Sequence, residues 1–440
     1  MIDIAIKFFL LLAPGLPLLL AIPALSCRLP WPAHVALLPV IVLLFIPGSL
    51  YIDLPWIFWG SFGMGIDTVS RWWLAMSVLI WVVSAAFLNT SGGLVACYRR
   101  TTMFLITLAG QMGAILATDM VSFFTFMTLM GYAFIGLLFV DANEQLRRAG
   151  RIYLLLLILA DIALFEALLI AAESTEDLRF AAVSSAITLS PSPALYLSMV
   201  IVGFALKVGF WPLHVWLPLA YGSSRPPVAF LLWLVPVATG LFGAVRWLPL
   251  GEITAPIAGT LLQAIGAAGI LYAILFGLGR AQRKQLTAYI VTIATGIFVM
   301  CLGTGMAYPA IWKKYGADSV PAFVGIVGLG LAIMIASFAW LEKKKGSPPE
   351  TRMSDGAEFW FERWQKAVIS WGLRAGNDTL SGFHASWLAR WGIFWQARTW
   401  LKMFDAGEYF LQRWVVGATL FLLLGMVSVA LLLLDTMAVL

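Results

Sequence analysis

Lys207 stands in an apolar run with no other Lys, Arg, Asp or Glu between residues 193 and 224. Holding an amine at the centre of a membrane helix costs roughly 2.5–3.5 kcal/mol on insertion scales, so such a group is kept for use or because it has a partner. An amine held out of water can gain and lose a proton near neutrality, which a proton relay requires. Two carboxylates could pair with it: Asp161, in Ala160-Asp161-Ile162, and Glu166, five residues on and on a different part of the helix surface. Asp161 is the expected partner. Glu166 has the plainer alternative of a headgroup or polar-cavity contact. His214 follows Lys207 by seven residues, two turns along the same face if the helix survives Pro212. Its neutral imidazole could pass a proton onward, or merely sit at an interface. For Lys207 the plain alternative is a permanently charged amine locked to one carboxylate. Thr125, Thr128 and Ser122 could hydrogen-bond across helices or hold water. Asp67 and Asp119 fall near predicted helix ends, where capping is the simplest role.

These residues need elements to hold them, and composition says which. The hydrophobic fraction is 61% and charged residues make up 11%, against about 25% in ordinary soluble domains. The apolar excess lies in long runs, so the chain is a polytopic, all-α membrane protein. About twelve spans of roughly 20 residues are predicted, at 4–25, 33–51, 70–90, 101–118, 120–140, 152–173, 193–214, 226–247, 256–279, 286–305, 321–341 and 415–438. Arg99-Arg100, Arg147-Arg148 with Arg151, Arg280 with Arg283-Lys284, and Lys343-Lys344-Lys345 then fall on one side. Glu173, Glu176 and Asp177 fall on the other, and Lys313-Lys314 runs against the pattern. Positive-inside places the basic loops in the cytoplasm and the N-terminus outside. The net charge of +6 reflects these topology clusters and does not point to nucleic acid. The first apolar segment lacks a basic n-region and a cleavage site and is expected to remain as a helix.

Cys27, Cys97 and Cys301 are far apart and outside any Cys/His grouping, so no metal, haem or iron–sulfur site is expected. There is no nucleotide loop, cofactor motif or catalytic triad. No cofactor and no redox chemistry of the chain's own are expected.

After a soluble linker opening at Glu342-Lys343-Lys344-Lys345, apolar residues recur at helical spacing, among them Trp360, Trp364, Trp371, Trp387 and Trp391, with Arg363, Lys366, Arg374, Arg390 and Arg398 between them. A basic, Trp-rich amphipathic helix lies in the membrane interface or against partner helices. A lateral amphipathic segment and a final anchor helix are therefore expected.

Within residues 206–232 the order is Lys207, Trp211-Pro212-Leu213-His214-Val215-Trp216-Leu217-Pro218, then Pro226-Pro227-Val228. This block resembles the antiporter-like, proton-translocating membrane subunits of respiratory complex I, Mrp-type antiporters and membrane-bound hydrogenases. Weaker matches fall in the family's order: Gly65-Ile66-Asp67, the stretch from Arg99 to Asp119, Tyr132 to Phe139, and Arg283 to Tyr289. Together they run from about residue 60 to 305. The departures are specific. Thr125 stands where the family carries a fifth-helix glutamate, Leu219 where an aspartate is common, and Trp233 and Thr239 where the eighth helix often holds a histidine or lysine. The second half, which in the family has another lysine-bearing broken helix, looks shortened.

The resemblance implies a subunit of a multi-subunit energy-converting complex in a bacterial-type inner membrane, moving protons or Na+ past Lys207, with Asp161, Glu166 and His214 as further relay groups. Trp211 and Pro212 would break the seventh helix, and Pro226-Pro227 with Pro236 suggest a discontinuous or kinked eighth, along the path. The alternatives are a non-conducting scaffold or docking subunit, and the membrane partner of an inorganic-carbon uptake system. An enzymatic role would belong to the assembled complex, of quinone-oxidoreductase or hydrogenase type. The expected partners are other membrane subunits, the bilayer, and protons or Na+. The expected organisation is N-terminal helices at 1–60, an antiporter-like half-bundle at 61–250, a partial second half-bundle at 251–341, the lateral segment at 342–414 and the anchor at 415–440.

Overall fold

In the computed structural model the described residues are 2–26, 29, 31–53, 62–88, 94–140, 143–190, 193–277, 283–316 and scattered positions between 325 and 335. Nearly all are helical, because a chain crossing lipid must satisfy its own N–H and C=O groups. The N-terminal part is α1 (Ile2–Leu20), the one-turn pieces α2 (Pro23–Ser26) and α3 (Pro32–Val35), and α4 (Leu38–Phe45). A hairpin of β1 (Leu50–Asp53) and β2 (Gly63–Ile66) follows, paired antiparallel with Leu50 opposite Ile66 and Asp53 opposite Gly63. Then come α5 (Thr68–Ala86), α6 (Leu94–Leu116), α7 (Met120–Val140), α8 (Glu144–Ser174) and the short α9 (Phe180–Thr188). Two interrupted helices come next. One is α10 (Pro193–Val208) with α11 (Trp216–Ser223), and the other is α12 (Pro226–Leu232) with α13 (Thr239–Trp247). The last long helices are α14 (Pro256–Tyr272) and α15 (Arg283–Ala307).

Among the described residues, seven helical segments are long and apolar enough to cross a membrane. The all-α, multi-pass membrane fold read from composition is therefore the fold observed. α6 runs through the same bundle although its apolar character is diluted by Arg99, Arg100 and Gln111. The expected span at 33–51 is corrected: Pro32 and Pro39 start two short helices, the second ends at Phe45, and Leu50 already belongs to a strand. The expected span at 321–341 lies mostly outside the described residues, and the lateral segment and anchor helix lie wholly outside them.

Caps and small residues set the geometry. Asp67 closes a capping box on α5, accepting from Ser70 N at 2.7 Å while Ser70 Oγ accepts from Asp67 N at 2.8 Å. Asp119 caps α7, as expected, taking Ser122 N at 2.8 Å on one oxygen and Gly63 N and Ser122 Oγ on the other at 2.8 and 2.7 Å. Burial pushes the Asp119 carboxyl above its ordinary value, outweighing the hydrogen bonds it accepts. The same carboxylate ties the hairpin to the α6–α7 turn, and Met120 N and Phe180 N extend the clamp to Leu178 O and Thr118 O. Nearby, Arg246 Nη2 donates to both Asp67 oxygens at 2.7 Å, joining the end of α13 to the start of α5. Burial alone would raise the Asp67 carboxyl, but the Arg246 charge and the hydrogen bonds from Ser70 and Arg246 hold it below its ordinary value.

α14 and α15 pack backbone to backbone through paired glycines. A Cβ on Gly259 would sit 2.6 Å from Gly303 O, and one on Gly266 would sit 2.5 Å from Gly296 O. Small residues at such seams let membrane helices approach where no hydrophobic force between helices operates.

Candidate ion-path site

Lys207 ends α10. It is 1% exposed, and its Nζ lies 2.5 Å from Asp161 Oδ1 on α8. Of the two candidate carboxylates, both in α8, Asp161 faces inward and takes the amine, while Glu166 lies exposed on the outer face of that helix. Asp161 Oδ2 has no hydrogen-bond partner. Tyr132 on α7 and Tyr153 on α8 both lie within electrostatic reach of Asp161. Tyr153 is fully buried and stacks on Trp216 with ring centroids 4.3 Å apart. Sequence reasoning used Tyr132 only as a family match and passed over Tyr153. The signal available was a tyrosine in each of two apolar helices flanking an intramembrane aspartate.

The break beside Lys207 is sharp. α10 stops at Val208, and Gly209 takes φ +78°, a conformation that only glycine adopts without strain. A Cβ there would also meet Trp216 Nε1 at 2.9 Å. The Trp211–Pro212 peptide is cis, and a one-turn 3₁₀ piece at Leu213–Val215 leads into α11. The helix therefore does not survive Pro212, and the condition for placing His214 on the Lys207 face fails. His214 instead lies buried beyond the break, edge-on to Tyr272 at 4.9 Å, with neither ring nitrogen hydrogen-bonded. A cavity of about 10 Å³, room for one water, opens beside the break between Gly209–Trp211 and α14–α15. Thr292 and Thr295 are the polar side chains in its lining.

Pro226 and Pro227 begin α12, where a missing N–H is harmless, so they start this helix and do not break it. The interruption comes ten residues later, where Pro236 sits inside a π-helical stretch, Trp233–Ala238. Side chains bond to the carbonyls of this stretch. Gln111 Nε2 donates to Leu234 O at 3.2 Å and to Thr239 Oγ1 at 2.8 Å, Thr239 Oγ1 donates to Leu234 O at 3.0 Å, and Trp73 Nε1 donates to Ala238 O at 3.1 Å. Trp81 Nε1 donates to Gln111 Oε1. Thr239 is thus a fully buried member of a closed network, while the Trp233 indole N–H is buried without a partner. Gln111 was missed in the sequence, although a glutamine in the middle of a span is a visible signal.

Thr125, expected from the sequence to stand where the resembled family carries a glutamate, donates to Val121 O at 2.8 Å, one turn back on its own helix. Thr128 Oγ1 on the same helix is buried without a partner. Among the described residues no group of three or more His, Cys, Asp or Glu could hold a metal ion.

With this geometry in view, four likenesses bear on the chain. Residues 117–312 match the model of the NADH:quinone oxidoreductase/Mrp antiporter transmembrane family. An uncharacterized protein of Mycobacterium tuberculosis is 30% identical over 201 residues, 46% of this chain and 31% of that protein. Hydrogenase-4 component B of Escherichia coli is 28% identical over 186 residues, 41% of this chain and 26% of that one. The chain thus matches a third or less of the length of these relatives. A subunit in the structure of the Mrp complex from Dietzia superposes with a TM-score of 0.65 at 18% identity, over 80% of this chain and 40% of that chain. That likeness concerns the fold. The matched segment begins at the α6–α7 turn, takes in Asp161, Lys207 and both interrupted helices, and ends beyond α15. The chain is a membrane-embedded, multi-pass, antiporter-like protein, and its likeness to the NADH:quinone oxidoreductase/Mrp antiporter transmembrane family lies in residues 117–312.

Proposed function

We propose that this chain is the ion-translocating subunit of a multi-subunit energy-converting complex, and that protons cross it past the Lys207–Asp161 pair. The observation that carries this reading is the pair itself, a lysine 1% exposed held 2.5 Å from a carboxylate whose second oxygen has no partner. A buried ion pair is a poor stabiliser, since desolving two charges costs about as much as their attraction returns. Its use is better found in proton exchange. A proton shared between Asp161 and Lys207 leaves both groups neutral in one state and both charged in the other. The unpaired Asp161 oxygen and the Tyr132 hydroxyl offer an approach from the α7–α8 side. The single-water cavity at Gly209–Trp211, with Thr292 and Thr295, offers an exit toward α14–α15. Asp161 takes the part that Thr125 cannot play, because a threonine hydroxyl does not ionise as a carboxylate does.

The complex would lie in a bacterial inner membrane, with the basic loops cytoplasmic and the N-terminus outside. Other membrane subunits would supply the redox or exchange reaction that drives the flow, and Na+ remains the other ion the pair could serve. Lys207→Ala should abolish proton uptake by vesicles holding the assembled complex. Lys207→Arg should not restore it, because guanidinium keeps its proton. Uptake unchanged in Lys207→Ala would leave a non-conducting scaffold as the reading.

A further inference from the structure

α8 is 31 residues long, and its apolar part runs from 152 to 172 once the polar first turns are set aside. Glu166 lies six residues inside the end of that part, roughly 9 Å deep at 1.5 Å per residue. It is exposed, on one stripe with Ile158, Ile162, Phe165 and Leu169, which are 41–57% exposed. The near membrane surface is the one at the C-terminal end of α8. Helical side chains lean toward the helix N-terminus, so Glu166 leans deeper into the membrane and away from that surface. Among the described residues no ion pair or hydrogen bond involves it. A second polar group opens on the same side. Tyr132 is 42% exposed although it interacts with Asp161, and Phe124 of α7 meets Phe165 of α8 at 6.1 Å. An ionisable side chain at this depth normally faces a protein interior or finds an opposite charge.

We propose that this outer face of α8 docks a membrane helix of a different subunit, and that this helix presents a lysine, arginine or histidine to Glu166. Charge complementarity selects the occupant. Lipid tails offer Glu166 nothing. A second copy of this chain in a two-fold contact would bring Glu166 toward Glu166. The surrounding isoleucines, Phe165 and Leu169 supply the apolar contact, and the ion pair sets depth and register. The inference concerns assembly and holds whether or not Lys207 conducts.

The test places a photo-crosslinking residue at Ile162 in the full chain, expressed with its neighbouring membrane subunits. The expected product joins Ile162 to another subunit, within an apolar helix that carries a basic residue. Glu166→Lys should lower the yield of intact complex at least tenfold, and an acidic substitution at the crosslinked basic residue should restore it. Glu166→Leu removes a charge from the lipid-facing surface and so inserts more easily. If it too loses the complex while the chain's abundance in the membrane is unchanged, lost pairing is the cause. Crosslinks to lipid alone, to a second copy or to residues 342–440 of the same chain would overturn the proposal. So would a complex recovered in full with Glu166→Lys.

Discussion

At the scale of the residue, two ion pairs do different work. Lys207 and Asp161 are sealed from water, so removing one partner strands the other. Asp161→Asn should destabilise the bundle by about 3–5 kcal/mol, the usual cost of leaving a buried charge unpaired, unless Lys207 sheds its proton. Replacing both, as Lys207→Met with Asp161→Leu, should return stability to within about 1–2 kcal/mol of wild type, because apolar groups of similar volume often replace a buried pair without loss. Unfolding in mixed detergent micelles checks both. Arg246 and Asp67 lie at a helix end, with side chains 19% and 32% exposed. Since the Asp67 carboxyl is held below its ordinary value of 3.8, its contribution is complete above that pH and is lost as pH falls through the lower, folded value. Arg246→Ala should cost about 1–2 kcal/mol at neutral pH, at the lower end for charged hydrogen bonds because solvent reaches both groups. The difference from wild type should shrink as pH falls below 3.8 and vanish once it lies below the lower, folded value. A difference that persisted there would place the Arg246 effect in its packing on Phe242 and Phe180 instead.

At the scale of the element, both functional helices are interrupted, and each break has a residue behind it. In the first, Gly209 and Pro212 end α10 two residues after Lys207. In the second, Pro236 lies in a π-helical stretch whose Leu234 and Ala238 carbonyls accept side-chain hydrogen bonds from Gln111, Thr239 and Trp73. Gln111→Leu should therefore cost about 1–3 kcal/mol, since it leaves the Trp81 N–H without its acceptor and removes a donor to Leu234 O. A thermal unfolding shift checks it, and a neutral substitution would mean that water takes the glutamine's place. The Lys207 break was legible in the sequence because proline and a membrane lysine are local signals. His214 was misplaced for the opposite reason: extrapolating two turns along a face assumes a helix that Gly209 and Pro212 end. Pro226 and Pro227 were read as a break because proline starts helices as readily as it stops them, and only the neighbouring elements decide which. The hairpin at 50–66 was hidden inside apolar sequence, where a buried strand and a short helix look alike.

At the scale of the whole molecule, the helices from α6 to α13 surround Asp161, Lys207 and the Gln111 network, and the hairpin closes one end through Asp119. The multi-pass membrane fold was plain from composition because lipid leaves the backbone few alternatives. The partner surface was not, because exposure in a membrane helix cannot be read from polarity alone: Glu166 and Asp161 are five residues apart in one helix and face opposite environments. The Trp- and Arg-rich sequence at 355–412 is expected to hold the assembly together. Deleting 350–440 should leave the remainder inserted but release it from its partners on native gels, and wild-type co-purification would contradict that role. The central claim is that ions pass by the Lys207–Asp161 pair. The most direct measurement is proton uptake by vesicles containing the complex with Lys207→Met and Asp161→Leu together, a variant expected to fold and assemble. The expected result is an intact complex with uptake at the level of empty vesicles. An intact complex whose uptake matches wild type would contradict it.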